Sequence, residues 1–297
     1  KNSGNNRFGM YFKGMYRNNH MNFYEYLTPR ANFNPNMNNN SLNIEAEHNY
    51  SYRRGNGKIL LQLRSSALYT DYDYQYGKIE AINNNYLGKF DIRTRTFGQY
   101  ITGSSIAPES QLYLASGNGE EMMESKYYRS NLADMYRIGE FKPQGNILGF
   151  GGGLNLRGYN LTFAPQVYSG SNISRVVQGK GGASVNVEIE YDKFFKFRPK
   201  LLRNTLKLDA YFFADAGYLK YQVIDLSGKT LPIPYKWSDL KADAGAGFLF
   251  TIKRFGRLAT VEPLTFRVDF PLYVLQKNIA GGNYGYTNVV IAIGRAF

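Results

Sequence analysis

Long stretches of the chain alternate apolar and polar residues with a period of two, the spacing of a strand whose two faces meet different surroundings. Over residues 42–53, Leu42, Ile44, Ala46, Tyr50 and Tyr52 share one face, and Asn43, Glu45, Glu47, Asn49, Ser51 and Arg53 share the other. Gly55-Asn56-Gly57 comes next, and such a run predicts a tight hairpin turn. Residues 58–70 then set Ile59, Leu61, Leu63, Ala67 and Tyr69 against Gln62, Arg64 and Ser66. The same pattern predicts strands over 7–16, 22–33, 77–82, 91–101 and 111–116. The stretches PNMNNNS (35–41), DYDYQ (71–75) and GNGEEMMESK (117–126) read as polar linkers, the asparagine run as a solvated loop.

The last third is cleaner. Five strands are predicted over 183–192, 206–217, 241–253, 264–274 and 287–297. Their connections are 193–205, 218–240, 254–263 and 275–286, the second and fourth longer than their neighbours. Alternating short turns and longer loops, between segments long enough to cross a bilayer at a tilt, is the pattern of an outer-membrane β-barrel. A soluble barrel packs its apolar face inward instead, and period two alone does not separate the two.

On the membrane reading, Leu206, Leu208, Ala210, Phe212 and Ala214 face lipid, while Lys207, Asp209, Tyr211, Phe213 and Asp215 face the lumen. In 264–270, Arg267 and Asp269 take the polar parity against Leu264, Phe266, Val268 and Phe270. In TNVVIAIGRAF, Val289, Ile291, Ile293 and Phe297 oppose Val290, Ala292, Gly294 and Ala296. Arg295 shares the apolar parity and is expected to snorkel to the headgroups.

Composition agrees with an all-β chain. There are 26 Tyr, 20 Phe, 31 Gly and only 10 Pro in 297 residues, a balance that favours strands over helices. No apolar run approaches the roughly 18 residues of a membrane helix, and mean hydropathy is −0.43. No compositional shift divides the chain, so residues 1–297 read as one domain. Cysteine is absent, which removes disulfides and thiolate metal sites from consideration. The formal net charge of +13 suits a phosphate-rich partner, either nucleic acid or an anionic membrane surface. The opening KNSGNNRFGM has neither an initiator Met nor an apolar leader, so a removed signal peptide or a longer parent chain is expected.

Catalytic chemistry is not legible. His20 and His48 lie in no metal-ligand spacing, and the glycines at 149–153 are followed by no helix that would cradle a phosphate. Glu188 and Glu190 alternate with Val187, Ile189 and Tyr191 and read as a lumen-facing stripe. KFFKFRPK (193–200) fits a turn anchored at the headgroups better than a nucleic-acid site. The expectation is therefore no enzyme activity within this chain, no cofactor, no metal and no nucleic acid.

GGGLNLRGYN (151–160) carries the one specific motif. With Arg157-Gly158-Tyr159 ahead of five strands, it resembles the BamA-like superfamily of outer-membrane insertases and two-partner secretion transporters. Their Arg-Gly-aromatic motif tips an extracellular loop folded into the barrel. YFFADAGY (211–218) and PLTFRVDFPL (263–272) are similar to strands of the same family, so the resemblance covers roughly 145–297. The departures are a count of about 12 or 13 strands where the family has about 16, and no POTRA repeat.

The resemblance implies an antiparallel transmembrane barrel of the bacterial outer membrane with an inward-folded extracellular loop. Arg157 would then meet lumen carboxylates, Asp215 first and Asp269 second, with Asp209 on the same face. The aromatic Phe297 would be the insertion signal. The implied partners are outer-membrane lipid and lipopolysaccharide, other envelope assembly proteins and substrate polypeptides, and the implied work is insertion, assembly or translocation of proteins. Two alternatives stand beside it. One is an anchoring barrel for an upstream enzyme domain, since LNLRGY and ESKYYRS (124–130) are similar to barrels attached to zinc-aminopeptidase-type domains. The other is a passive diffusion pore.

Overall fold

The computed structural model describes residues 3–16, 37–115, 117–124, 148–149, 151–159, 166–169, 172–175, 178–191, 205–221, 235–253, 264–275 and 289–297. Its strands are β1 (Ser3–Tyr16), β2 (Asn38–Tyr52), β3 (Gly55–Ser66), β4 (Asp73–Leu87), β5 (Phe90–Ser105), β6 (Leu112–Tyr113), β7 (Leu148–Gly149) and β8 (Gln166–Ser169). They continue as β9 (Asn172–Arg175), β10 (Gln178–Gly179), β11 (Gly181–Glu190), β12 (Leu206–Tyr221), β13 (Lys236–Trp237), β14 (Lys241–Ile252), β15 (Leu264–Val274) and β16 (Val290–Ile293). Among the described residues one short α-helix, α1, spans Gly119–Glu124.

A single 12-stranded sheet runs β1-β2-β3-β4-β5-β11-β12-β14-β15-β16-β7, with β13 paired to β12. Among the described strands every pairing is antiparallel except that of β7 with β16. The fold is therefore all-β, as the alternating pattern predicts. All five strands expected after Arg157 are present as wall strands, and β15 keeps its predicted bounds. The wall's first five strands and the strands after them meet at β5 and β11, where Tyr100 pairs with Gly181 and Ile92 with Ile189.

Burial is inverted relative to a soluble sandwich. Leu63 is 62% exposed and Phe212 53%, whereas Arg95 is 1% and Asp269 0% exposed. The apolar parity faces out on β2, β3, β12 and β15, and the polar parity faces in. What covers the polar face is the described part of the connection between β5 and β11, which touches the long wall strands in turn. Lys13 of β1 and Arg64 of β3 reach Glu120. Asn39 of β2 reaches Glu109, Lys78 of β4 reaches Glu121, and Arg95 of β5 reaches the Gly153 carbonyl. Glu188 of β11 and Asp215 of β12 hold Arg157. The Tyr159 hydroxyl caps Ala242 of β14. A sheet whose successive strands all contact one folded segment is curved around it, and that segment is the plug of the structure.

Several local expectations need correction. The turn between β2 and β3 falls at Arg53-Arg54, and Gly55 and Gly57 are already in register opposite Tyr52 and Tyr50. Those glycines make room for rings: a Cβ on Gly57 would lie 2.2 Å from the Tyr50 ring, and one on Gly55 2.1 Å from the Asn84 carbonyl. The asparagine run is not all loop, because Asn38 starts β2 and Asn39 is buried, with its amide accepting from the Tyr74 hydroxyl at 2.8 Å. DYDYQ is part of a wall: Tyr72, Tyr74 and Tyr76 pack with Ile101 and Ala107 into a core cluster. Residues 111–115 do not join the wall, since β6 pairs with β10, and residue 116 lies outside the described residues. The candidate strand 22–33, the turn 193–200 and most of 124–130 lie outside the described residues, as do the courses of most connections in the last third.

Candidate functional site: the latched plug

Among the described residues, two inward segments build the plug. In the first, α1 begins with a capping box: the Asn118 Oδ1 accepts from the Glu121 amide at 2.8 Å, and the Glu121 carboxylate accepts from the Asn118 amide at 3.0 Å. That start turns Glu120 into the interior, where the Arg64 Nη1 donates to it at 2.6 Å and the Ser110 hydroxyl at 3.0 Å, with Lys13 beside it. Burial alone would push the Glu120 carboxyl up, but Arg64 and Lys13 outweigh it and hold its pKa at about 2. This segment was expected to be a polar linker. Its signal, an Asn-x-x-Glu cap, is present in the sequence as NGEE.

The second segment carries the motif. Gly152 and Gly153 take φ values of 147° and 54°, and the chain then enters a 3-10 turn at Arg157–Tyr159. Arg157 is 1% exposed. Its Nε and Nη2 donate to the two oxygens of Asp215 at 2.7 and 2.9 Å, a bidentate fork. Its Nη1 donates to Glu188 at 2.7 Å, and its guanidinium lies 4.0 Å from the Phe213 ring centroid. Burial acts to lower the Arg157 pKa, and the Asp215 and Glu188 carboxylates reverse it, so the group stays charged.

Gly158 makes a close approach: a Cβ there would lie 2.7 Å from the Asp243 Cβ and from the Val274 Cγ2. Tyr159 can therefore reach the wall backbone, where its hydroxyl donates to the Leu275 carbonyl and accepts from the Ala242 amide at 3.1 Å.

A buried polar chain extends from this fork. Asn186 donates to Asp215 at 3.0 Å and to the Asn155 carbonyl at 3.0 Å, and accepts from Arg95 at 3.1 Å. Arg95 in turn donates to Glu80 at 2.5 Å and to the Gly153 carbonyl at 2.9 Å. Charges that share this many partners are compensated, whereas a lone buried charge would be strongly unfavourable. The two inward segments also bond to each other, with the Leu154 and Leu156 amides donating to the Tyr113 and Leu114 carbonyls at 3.1 and 3.0 Å. Leu112, Leu114, Leu154, Leu156 and Tyr159 form one buried cluster against Phe97 and Leu219 of the wall.

Among the residues singled out from sequence, the structure brings Arg157 and Asp215 together. Asp269 is nearby without bonding Arg157: it accepts from the Tyr211 hydroxyl and stands 2.8 Å from the Arg267 Nε. Asp209 is not a partner of the motif. It pairs with Lys207 at 2.6 Å and Arg295 at 3.5 Å, because two residues per inward step place it three steps down β12 from Asp215. Arg295 is likewise corrected. It turns inward to Glu190 at 2.5 Å, because the strand ends at Ile293 and Gly294, with φ 86°, resets the parity. Phe297 lies with the Arg93 guanidinium 5.5 Å from its ring centroid. His48 sits on the outward parity of β2, stacked on Tyr50, and His20 lies outside the described residues. Reading the sequence singled out neither Glu188 as a second carboxylate of the fork nor Lys13, Arg64 and Glu120 as a second latch. Glu188 was already on the lumen stripe, and only the β11–β12 register brings it to Arg157.

No family model matches the chain, and no curated protein matches it. Among solved structures it is similar to BamA. That structure is BamA from Haemophilus ducreyi lacking POTRA domains 1–3, at 15% identity with a TM-score of 0.43. The match covers 99% of this chain and 51% of the BamA chain, so this chain spans about half of that protein's length. A likeness of this size carries nothing about activity. The fold rests on the strand pairing, and the site on the residues above.

Proposed function

We propose that this chain is a plugged β-barrel of the bacterial outer membrane that works in the insertion, assembly or translocation of polypeptides there. The observation that carries the reading is the inverted burial: an outward face of exposed Leu, Ile and Phe around an interior of paired charges. Water would penalise that outer face and lipid would not. The latched plug supports a gated machine over an open diffusion pore, because its leucine cluster and ion pairs occupy the space a pore needs. β1 pairs with β2 on one side only among the described residues, and a free strand edge can template an incoming chain by β-augmentation. Such work needs no catalytic side chain.

The test is reconstitution of the full chain into lipid vesicles, followed by two measurements. Acceleration of the folding of an unfolded outer-membrane barrel added from urea, with small and flickering conductance, is the expected result. A large ohmic conductance would establish a pore instead. A well-folded, silent chain that accelerates nothing would leave only an anchoring role.

A further inference from the structure

The outward wall at the end where β5 stops and β11 starts holds a basic and aromatic cluster that the plug does not use. Tyr100, 42% exposed, lies between two glycines in the sheet, paired to Gly77 on β4 and Gly181 on β11. Its ring leans over Gly181, where a Cβ would lie 2.6 Å from it, and the space over Gly77 holds only Leu63 Cδ2 at 3.8 Å. Two ammonium groups share that ring: Lys180 at 5.9 Å and Lys220 at 5.1 Å from its centroid. Lys180 is also 4.2 Å from the Tyr235 ring, and Lys220 is 5.6 Å from the Trp237 ring and donates to the Tyr100 hydroxyl at 3.0 Å.

Neither lysine meets a carboxylate among the described residues, whereas Lys13, Lys58, Lys78 and Lys207 each do. Two like charges gathered on one ring without an anion leave a site of positive potential, and the rings fix its position.

We propose that Lys180 and Lys220, held over Tyr100, bind the phosphate of a membrane lipid headgroup. This rests on the reading that the outward face meets lipid. The site opens sideways on the wall, with exposed Tyr218 and Trp237 at its margin and the apolar outward parity of β12 running away from it. A headgroup phosphate would meet the two ammoniums while its acyl chains lie along that apolar surface. Aromatic rings at this level are the usual companions of headgroups, and a free phosphate would gain nothing from the apolar surface.

Trp237 is the single tryptophan of the chain, so its fluorescence reports on this site alone. The full chain is folded into phosphatidylcholine vesicles, and phosphatidic acid with brominated acyl chains is titrated in, with brominated diacylglycerol as the phosphate-free comparison. Quenching by brominated phosphatidic acid should saturate at low mole fraction, while the diacylglycerol quenches only in proportion to its share of the lipid. Lys180→Gln should raise the half-saturating fraction about fivefold, and the Lys180→Gln/Lys220→Gln double variant roughly 25-fold. Lys253→Gln, which removes an equal charge at the opposite end of β14, should leave it unchanged. Equal quenching by the two lipids, an unshifted double variant, or displacement of the quencher by millimolar inorganic phosphate would each overturn the proposal. If brominated phosphatidylcholine itself failed to quench Trp237, the membrane reading would fall. Quenching by it with no preference for phosphatidic acid would sink only the lipid site.

Discussion

Replacing Arg157 by alanine removes the centre of the fork and leaves Asp215 and Glu188 buried without their cation. Three charge-assisted hydrogen bonds disappear, at 2.7, 2.9 and 2.7 Å, together with the contact on Phe213. Asp215 keeps the Asn186 amide at 3.0 Å, which replaces only one of the donors it loses. Breaking a buried ion pair from one side costs about 3 to 5 kcal/mol, and about 4 kcal/mol is expected here. Arg157→Lys keeps the charge but not the planar fork, and about half of that loss is expected.

The assay is urea unfolding of the chain refolded in detergent, followed by gel heat-modifiability and by Trp237 fluorescence. The decisive measurement is the double-mutant cycle of Arg157→Ala with Asp215→Asn, in which the two losses should be non-additive by about 2 to 3 kcal/mol. A coupling below about 0.5 kcal/mol would refute the latch, because residues that do not act together give additive losses.

Two further outcomes are expected. Glu120 has its pKa held at about 2 against an ordinary value of 4.5, so its contribution is fully present above pH 4.5 and is lost as pH falls towards 2. The stability advantage of the wild type over Glu120→Gln should therefore be constant from pH 7 to about 5 and shrink below about 4.5; an advantage that persists undiminished at pH 3 would contradict the Lys13–Glu120–Arg64 latch. Gly158→Ala should cost about 1 to 3 kcal/mol in the same urea assay, because the Asp243 Cβ and Val274 Cγ2, both 2.7 Å from the new methyl, are held by the wall and cannot swing aside. An unchanged midpoint would show that the motif turn has room the structure does not provide.

What the sequence shows and what it hides follow the range of each interaction. Parity along β12 and β15 is a local property, and it assigned Asp209, Tyr211, Asp215, Arg267 and Asp269 to the interior correctly. Which of those carboxylates meets Arg157 depends on how far the loop descends, and that is set by contacts of Gly158 and Tyr159 with β14 and β15 across a long separation. Asp209 therefore could be placed on the right face and still have the wrong partner. Arg295 failed differently, because one residue of positive φ at Gly294 undid a parity that period-two counting carries forward. The Lys13–Glu120–Arg64 latch was missed because GNGEEMMESK looks like a solvated stretch by composition, and only its capping box hints that Glu120 has a fixed direction.

The seam between β5 and β11 sets the order in which the molecule can assemble. β2 to β5 follow one another directly as hairpins, and β11 to β15 likewise pair in chain order, so each half can form from contacts close in sequence. Pairing Tyr100 with Gly181 must instead close the whole plug connection into a loop. Loop-closure entropy grows only slowly with length, but contacts of large sequence separation form late. Lys13 and Glu120 lie 107 positions apart in the chain (120 − 13) and Arg157 and Asp215 lie 58 apart, so both latches belong to that late step. A chain assembling this way spends its slowest phase as two open half-walls with an undocked plug between them, the state in which its strand edges are most exposed to other chains.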